Sequence, residues 1–168
     1  MIIVCDSSPL IALSIVNRLD LLDSLFSDVL VPVTVFNEAI VADKPEAGRI
    51  ADWAQGKVVA ATNRPLINSY SLLLDLGESE AIALYFEKKA DFLLIDEKKG
   101  RKIASYSNIN IIGSLGILLM SKKKGLIPSV KPFLNCLQES YIRVSDELYQ
   151  KTLELAGELN EENTNSSV

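Results

Sequence analysis

The chain has 168 residues, 48% of them apolar and 23% charged, with a formal net charge of -5. These values fit one globular domain with a sizeable core, and they argue against an extended basic nucleic-acid footprint, though not against a local basic patch. There is no histidine and there are two cysteines, which excludes Ser-His-Asp and Cys-His catalysis and any zinc site built on imidazole.

Any metal must therefore be held by oxygen, which selects hard ions such as Mg²⁺ or Mn²⁺. No apolar run is long enough to span a bilayer. The start lacks the basic region and cleavage site of a signal peptide, so Asp6 is expected in the mature chain. Cys5 lies in a hydrophobic strand pattern and Cys136 is remote from it. A buried free thiol is expected rather than a disulfide, and with it a cytoplasmic location.

In chain order, Ile2-Ile3-Val4-Cys5 reads as a short buried strand. Asp6-Ser7-Ser8-Pro9 then supplies a helix start, continued by Leu10, Ile11, Leu13, Ile15 and Val16. A short helix is expected near Leu19–Leu25 and a strand over Val29–Val31, ending at Pro32. The β-branched run Val33–Val41 would suit a strand, but Pro32 and Thr34 also permit a helix, and the helix is the reading adopted. A polar turn over Asp43–Ala47 precedes a helix at Arg49–Gln55, which stops at Gly56, and Val58–Ala60 is a weak strand candidate. The polar segment Thr62–Ser71 follows. A helical pattern then runs from Gly77 to Lys89, followed by a strand at Phe92–Ile95, a helix at Lys98–Tyr106 and a strand at Ile109–Ile112. Helical patterns follow at Ser114–Lys122, Val130–Glu139 and Asp146–Leu159, before a polar tail over 160–168. With no internal repeat or linker, residues 1–159 read as one domain. Alternating strands and helices imply an α/β fold, a mostly parallel sheet covered on both faces.

Ligands in such folds sit beyond the carboxyl ends of the strands. Two apolar runs end there in an acid, Asp6 and Asp96, and Asp75-Leu76-Gly77-Glu78-Ser79-Glu80 brings more carboxylates to a helix start. Singly, each has an ordinary explanation: a strand-end aspartate caps the next helix, and acids in a first turn satisfy the helix dipole. Jointly, buried carboxylates at one edge repel one another and raise each other's pKa unless a divalent cation joins them. With Glu38 on the Val33–Val41 helix, an oxygen-only site suited to phosphodiester hydrolysis results, with Asp6 and Asp96 as ligands and Glu38 and Glu78 as ligands or water-orienting groups.

Three segments carry a family resemblance: Asp6-Ser7-Ser8-Pro9-Leu10, Gly77-Glu78-Ser79-Glu80-Ala81-Ile82-Ala83-Leu84, and Ile95-Asp96-Glu97-Lys98-Lys99-Gly100-Arg101. A later Gly113-Ser114-Leu115-Gly116 also fits. In this order they resemble the PIN-domain family of metal-dependent ribonucleases, the fold of VapC-type toxins, from Met1 to about Leu159. The resemblance implies a three-layer α/β/α sandwich and an acidic metal cluster matched by Asp6, Glu38, Glu78 and Asp96. Ser7 matches a hydroxyl beside the first aspartate. Asp75 or Glu80 could take the place of Glu78, and Glu97 is the nearest match to a further family acid. It further implies endonucleolytic cleavage of RNA with Mg²⁺ or Mn²⁺, a homodimer, and a cognate antitoxin if the chain is the toxin of a toxin–antitoxin pair.

From the residues themselves, support for RNA is a local basic rim, Lys98, Lys99, Arg101 and Lys102, directly after Asp96. A solvated helix face explains those cations equally well. Haloacid-dehalogenase-like phosphatases need a second aspartate two residues after the first, where this chain has Ser8; response-regulator receivers need an acidic pair there. A catalytically silent PIN-like module that binds RNA or protein is the alternative of a different class.

Overall fold

The computed structural model describes residues 1–41 and 44–159. The tail read over 160–168 and Asp43 of the predicted turn lie outside the described residues. The chain divides into two compact units, Met1–Ile117 and the part beginning at Leu118.

The first unit is built on five strands: β1 (Ile2–Cys5), β2 (Asp28–Pro32), β3 (Val58–Val59), β4 (Phe92–Leu94) and β5 (Ile111–Ile112). They form one wholly parallel sheet in the order β3-β2-β1-β4-β5. Val4 pairs with Leu30 on one side and Leu93 on the other, which fixes the central register. Parallel strands need crossovers, and helices supply them: α1 (Ser7–Ile15), α2 (Asp20–Leu25), α3 (Val33–Ala39), α4 (Pro45–Trp53), α5 (Arg64–Tyr70), α6 (Leu76–Lys88) and α7 (Lys98–Tyr106). The result is the three-layer α/β/α arrangement expected from the sequence, with both sheet faces covered. Every strand ends at the same edge. The order reverses between β1 and β4, so the switch point lies where Asp6 and Asp96 follow their strands.

On one face, Val4, Leu93 and Ile95 pack with Ala81, Ile82, Leu84 and Tyr85 of α6, Ile67 of α5 and Ala104 of α7. Each fully buried aliphatic side chain of this size contributes roughly 1.5–3 kcal/mol. From Gly77 to Tyr85 every residue of α6 is buried, the pattern of a helix enclosed on all sides. Glu78 and Glu80, unlike acids of a surface helix, have little water to soften their charge.

Val33–Ala39 does form the helix chosen over a strand. Pro32, extended at φ −58° and ψ 149°, closes β2 and opens α3, and burial of Val35 and Ala39 outweighs the β-branched preference. Two helix starts differ from expectation. Helix α4 begins at Pro45, because proline is favourable in a first turn, so most of the predicted turn is helix. The segment read only as polar, Thr62–Ser71, contains α5. Asn63 caps it by accepting from the Leu66 amide at 3.2 Å, with Pro65 in the first turn. With Ile67 its one buried residue, α5 offers no periodicity to read.

Helix α8 (Ser114–Lys123) runs into the second unit, which holds α9 (Lys131–Glu139) and α10 (Asp146–Ala156). Glu158 ties this unit together. Its carboxylate accepts from the Val130 and Lys131 amides at 2.6 and 2.9 Å and from the Lys122 ammonium at 2.7 Å. Burial opposes the charge, yet these donors hold the Glu158 carboxyl below the ordinary glutamate range. Its stabilisation is therefore complete above the unfolded glutamate pKa and is lost as pH falls through the depressed folded value. Glu158→Ala is expected to cost about 2–3 kcal/mol at pH 7, read by urea unfolding and by faster amide exchange at the start of α9. Unchanged exchange there would show that the clasp is not holding α9.

Candidate active site

Asp6 follows β1, extended at φ −89° and ψ 165°, and its amide donates to the Leu94 carbonyl at 2.9 Å, joining β1 to β4. It is 3% exposed, yet its side chain makes no capping bond to α1. The cap explanation fails for this residue. Burial first, and then the charges of Glu78, Asp75 and Glu38, push its carboxyl up to about 7 against the opposing effect of the Ser7 amide.

Asp96 behaves differently. Its Oδ1 accepts from the Ser114 amide at 2.8 Å, so it caps the start of α8. Burial raises its pKa, while Ser114 and the neighbouring Arg101 guanidinium favour the charged form. Arg101, read from the sequence as part of an RNA-contacting rim, points inward and donates to the Ile95 carbonyl at 2.8 Å. Lys98, Lys99 and Lys102 are exposed on α7, with the Lys102 ammonium 6.0 Å from the Tyr106 ring.

The acids near the start of α6 separate into distinct roles. Asp75 is the N-cap and accepts from the Glu78 amide at 2.8 Å. Its own backbone amide favours the Glu78 carboxylate in return, the reciprocal pairing of a capping box. Glu80, 8% exposed, turns to α3 and accepts from the Thr34 amide at 3.2 Å, supplying that helix with an N-terminal acceptor. Glu78, 6% exposed, keeps a buried Oε1 without a hydrogen-bond partner. Its pKa is raised by burial and then by Asp75, with a smaller contribution from Glu97, against the Asp75 amide and Lys99.

Glu38 is exposed in the last turn of α3. Burial of part of its side chain and the charges of Asp75 and Glu80 raise its pKa, while the Ser7 hydroxyl hydrogen-bonds its carboxylate and lowers it. That places Ser7 between the first strand end and α3. Glu97 is the N-cap of α7, accepting weakly from the Lys99 amide at 3.4 Å.

Asp6, Glu38, Asp75 and Glu78 thus form one electrostatic group, and Asp96 follows the adjacent strand. Among the described residues, no three acidic side chains already stand as an ion-holding cluster. The donor chemistry nevertheless fits a hard cation: all the groups are carboxylates, the group is charge-frustrated, and Glu78 Oε1 is buried and unsatisfied. A cleft of about 590 Å³, lined by Ser14, Asp20, Arg49 and Trp53 among others, contains none of these acids.

Sequence reading missed the close approach of three glycines, Gly77, Gly100 and Gly113, to the carboxylates. They stand in the motifs that were quoted, but nothing in a linear sequence reveals the space they leave. The model of a family described as PIN domain matches residues 2–158. No curated protein and no solved structure matches the chain.

Proposed function

Since the chain belongs to the PIN-domain family, and hence to proteins with a nuclease-type function that generally depends on a divalent metal, we propose that it is an endoribonuclease using Mg²⁺ or Mn²⁺. Asp6, Glu38, Glu78 and Asp96 would hold the ion. When bound, it supplies Lewis-acid stabilisation of the charge that develops as a phosphodiester is hydrolysed. The observation that carries this reading is Asp6, buried, making no side-chain capping bond and pushed up to about 7 by burial and by Glu78, whose Oε1 has no partner. Such a cost in folding energy has a purpose if a cation relieves it.

Each residue then has a task. Asp6 and Glu78 present buried oxygens, and Ser114 with Arg101 favours the charged form of Asp96 against the burial that raises its pKa. Glu38, exposed at the rim and steadied by Ser7, orients the attacking water. Asp75 and Glu80 hold α6 and α3 in place, and Lys98, Lys99 and Lys102 offer phosphate contacts on α7. Arg101 acts inside the site and not on RNA. We place the protein in the cytoplasm; among the described residues, no helix is long and apolar enough to cross a membrane. A toxin role, with a homodimer as the assembled form and a cognate antitoxin covering the acids, is the setting proposed with this activity.

A silent RNA- or protein-binding module is the second reading, favoured by the absence of a ready-made ion cluster among the described residues. Incubating purified protein with end-labelled single-stranded RNA decides between them. Cleavage in Mn²⁺ or Mg²⁺ that stops with EDTA is expected. RNA retention without any metal-dependent cleavage would instead establish the binding module.

A further inference from the structure

The chain has eight glycines. Three of them, Gly56, Gly125 and Gly157, have positive φ and serve the backbone. Of the other five, three lie directly against an acid of the site. A Cβ built on Gly77 would stand 2.6 and 2.9 Å from the two Glu38 carboxylate oxygens. One on Gly100 would stand 2.5 Å from Glu78 Oε1 and equally close to Ile95 Cδ1, and one on Gly113 would stand 2.7 Å from Asp96 Oδ1 and 3.0 Å from the Arg101 guanidinium. The carbon–oxygen distances among these, all below 3.0 Å, are shorter than real Cβ atoms adopt.

Backbone freedom does not account for these three, since none has positive φ. Gly77 and Gly100 lie in the opening turns of α6 and α7, where alanine would be the stronger helix former. Gly48 in α4 supplies the contrast, because a Cβ there meets nothing within 4 Å.

We propose that Gly77, Gly100 and Gly113 are positioning residues, each leaving the space in which one carboxylate of the site is seated: Glu38, Glu78 and Asp96 in turn. This rests on the acidic site proposed above and adds what sets its oxygen positions. The obstacle an alanine would meet is the end of an acidic side chain, joined at Gly100 by the Ile95 methyl and at Gly113 by the Arg101 guanidinium. Side-chain ends swing away more easily than backbone. Alanine at these positions therefore displaces the carboxylate and leaves the fold standing. An ion site tolerates little such movement, because its ligand distances must hold within a few tenths of an ångström.

The test uses the full chain with Gly77→Ala, Gly100→Ala, Gly113→Ala and, as a control, Gly48→Ala. Two readouts are taken: carboxyl ¹³C chemical shifts at fixed pH in EDTA, and Mn²⁺ affinity by calorimetry. Each site variant is expected to move the signal of its own acid, to weaken Mn²⁺ binding at least tenfold, and to keep a wild-type circular dichroism spectrum. Gly48→Ala changes none of these. Shortening the crowded acid, in Gly77→Ala/Glu38→Asp and Gly100→Ala/Glu78→Asp, restores part of the affinity. Unmoved carboxyl signals overturn the seating outright, as does wild-type Mn²⁺ affinity in all three site variants. Moved signals in a protein whose wild type binds no Mn²⁺ support the seating and reject the metal-dependent function.

Discussion

Asp6→Asn is expected to yield a protein that is more stable than wild type in EDTA at pH 8 and at least a hundredfold less active on RNA. The residue is 3% exposed and its carboxyl is pushed up to about 7, by burial first and then by Glu78, Asp75 and Glu38. In the unfolded chain an aspartate titrates near 4. The folded state therefore binds this proton more tightly, and stability falls as pH rises from about 4 to about 7 and then levels off. At roughly 1.4 kcal/mol per unit, the ionised side chain costs the folded protein on the order of 4 kcal/mol above pH 7. Asparagine carries no such cost, and its amide can donate to the neighbouring carboxylates. Urea unfolding across pH 5–8 should show wild type weakening and the variant much less affected, with Glu38, Glu78 and Asp96 sustaining a residual slope. Adding Mn²⁺ should restore wild-type stability and leave the variant unchanged, since an ion that binds only the folded state stabilises by mass action. Equal pH slopes in the two proteins would mean that Asp6 is not under the strain described.

The second large effect separates neighbours on one helix. Glu78→Gln is expected to lose RNA cleavage at least a hundredfold without loss of stability in EDTA, because it removes a buried negative charge whose Oε1 has no partner and keeps an acceptor for the Asp75 amide. Glu80→Ala should do the reverse. It deprives the Thr34 amide of its acceptor at the start of α3 and costs about 1–2 kcal/mol, while most cleavage remains. Glu80→Gln keeps an acceptor oxygen and should recover most of that stability. If Glu80→Gln instead loses as much cleavage as Glu78→Gln while folding normally, the assignment of the two acids is reversed.

Much of this arrangement could be read before the fold was seen. Ile2–Cys5 and Phe92–Ile95 are apolar on successive residues, as strands buried on both faces must be, so Asp6 and Asp96 could be placed at one sheet edge. The helix over Val33–Ala39 was legible from Pro32 and Thr34 despite its β-branched residues. What escaped notice depends on contacts distant in sequence. Glu78 and Glu80 both stand near the start of one helix, and it is the Thr34 amide, 46 residues away along the chain, that shows Glu80 to be engaged with α3. Arg101 resembles its lysine neighbours until the Ile95 carbonyl is seen to claim it. The short helix α5, with Ile67 its one buried residue, had no pattern to announce it.

Mn²⁺ titrated calorimetrically into wild type, Asp6→Asn and Glu78→Gln at pH 7.5 tests the acidic site most directly. Wild type should bind at least one ion per chain, and each variant should lose at least tenfold in affinity while remaining folded. Wild-type protein that binds no ion, or variants that bind it as tightly as wild type, would contradict a metal site built on these carboxylates.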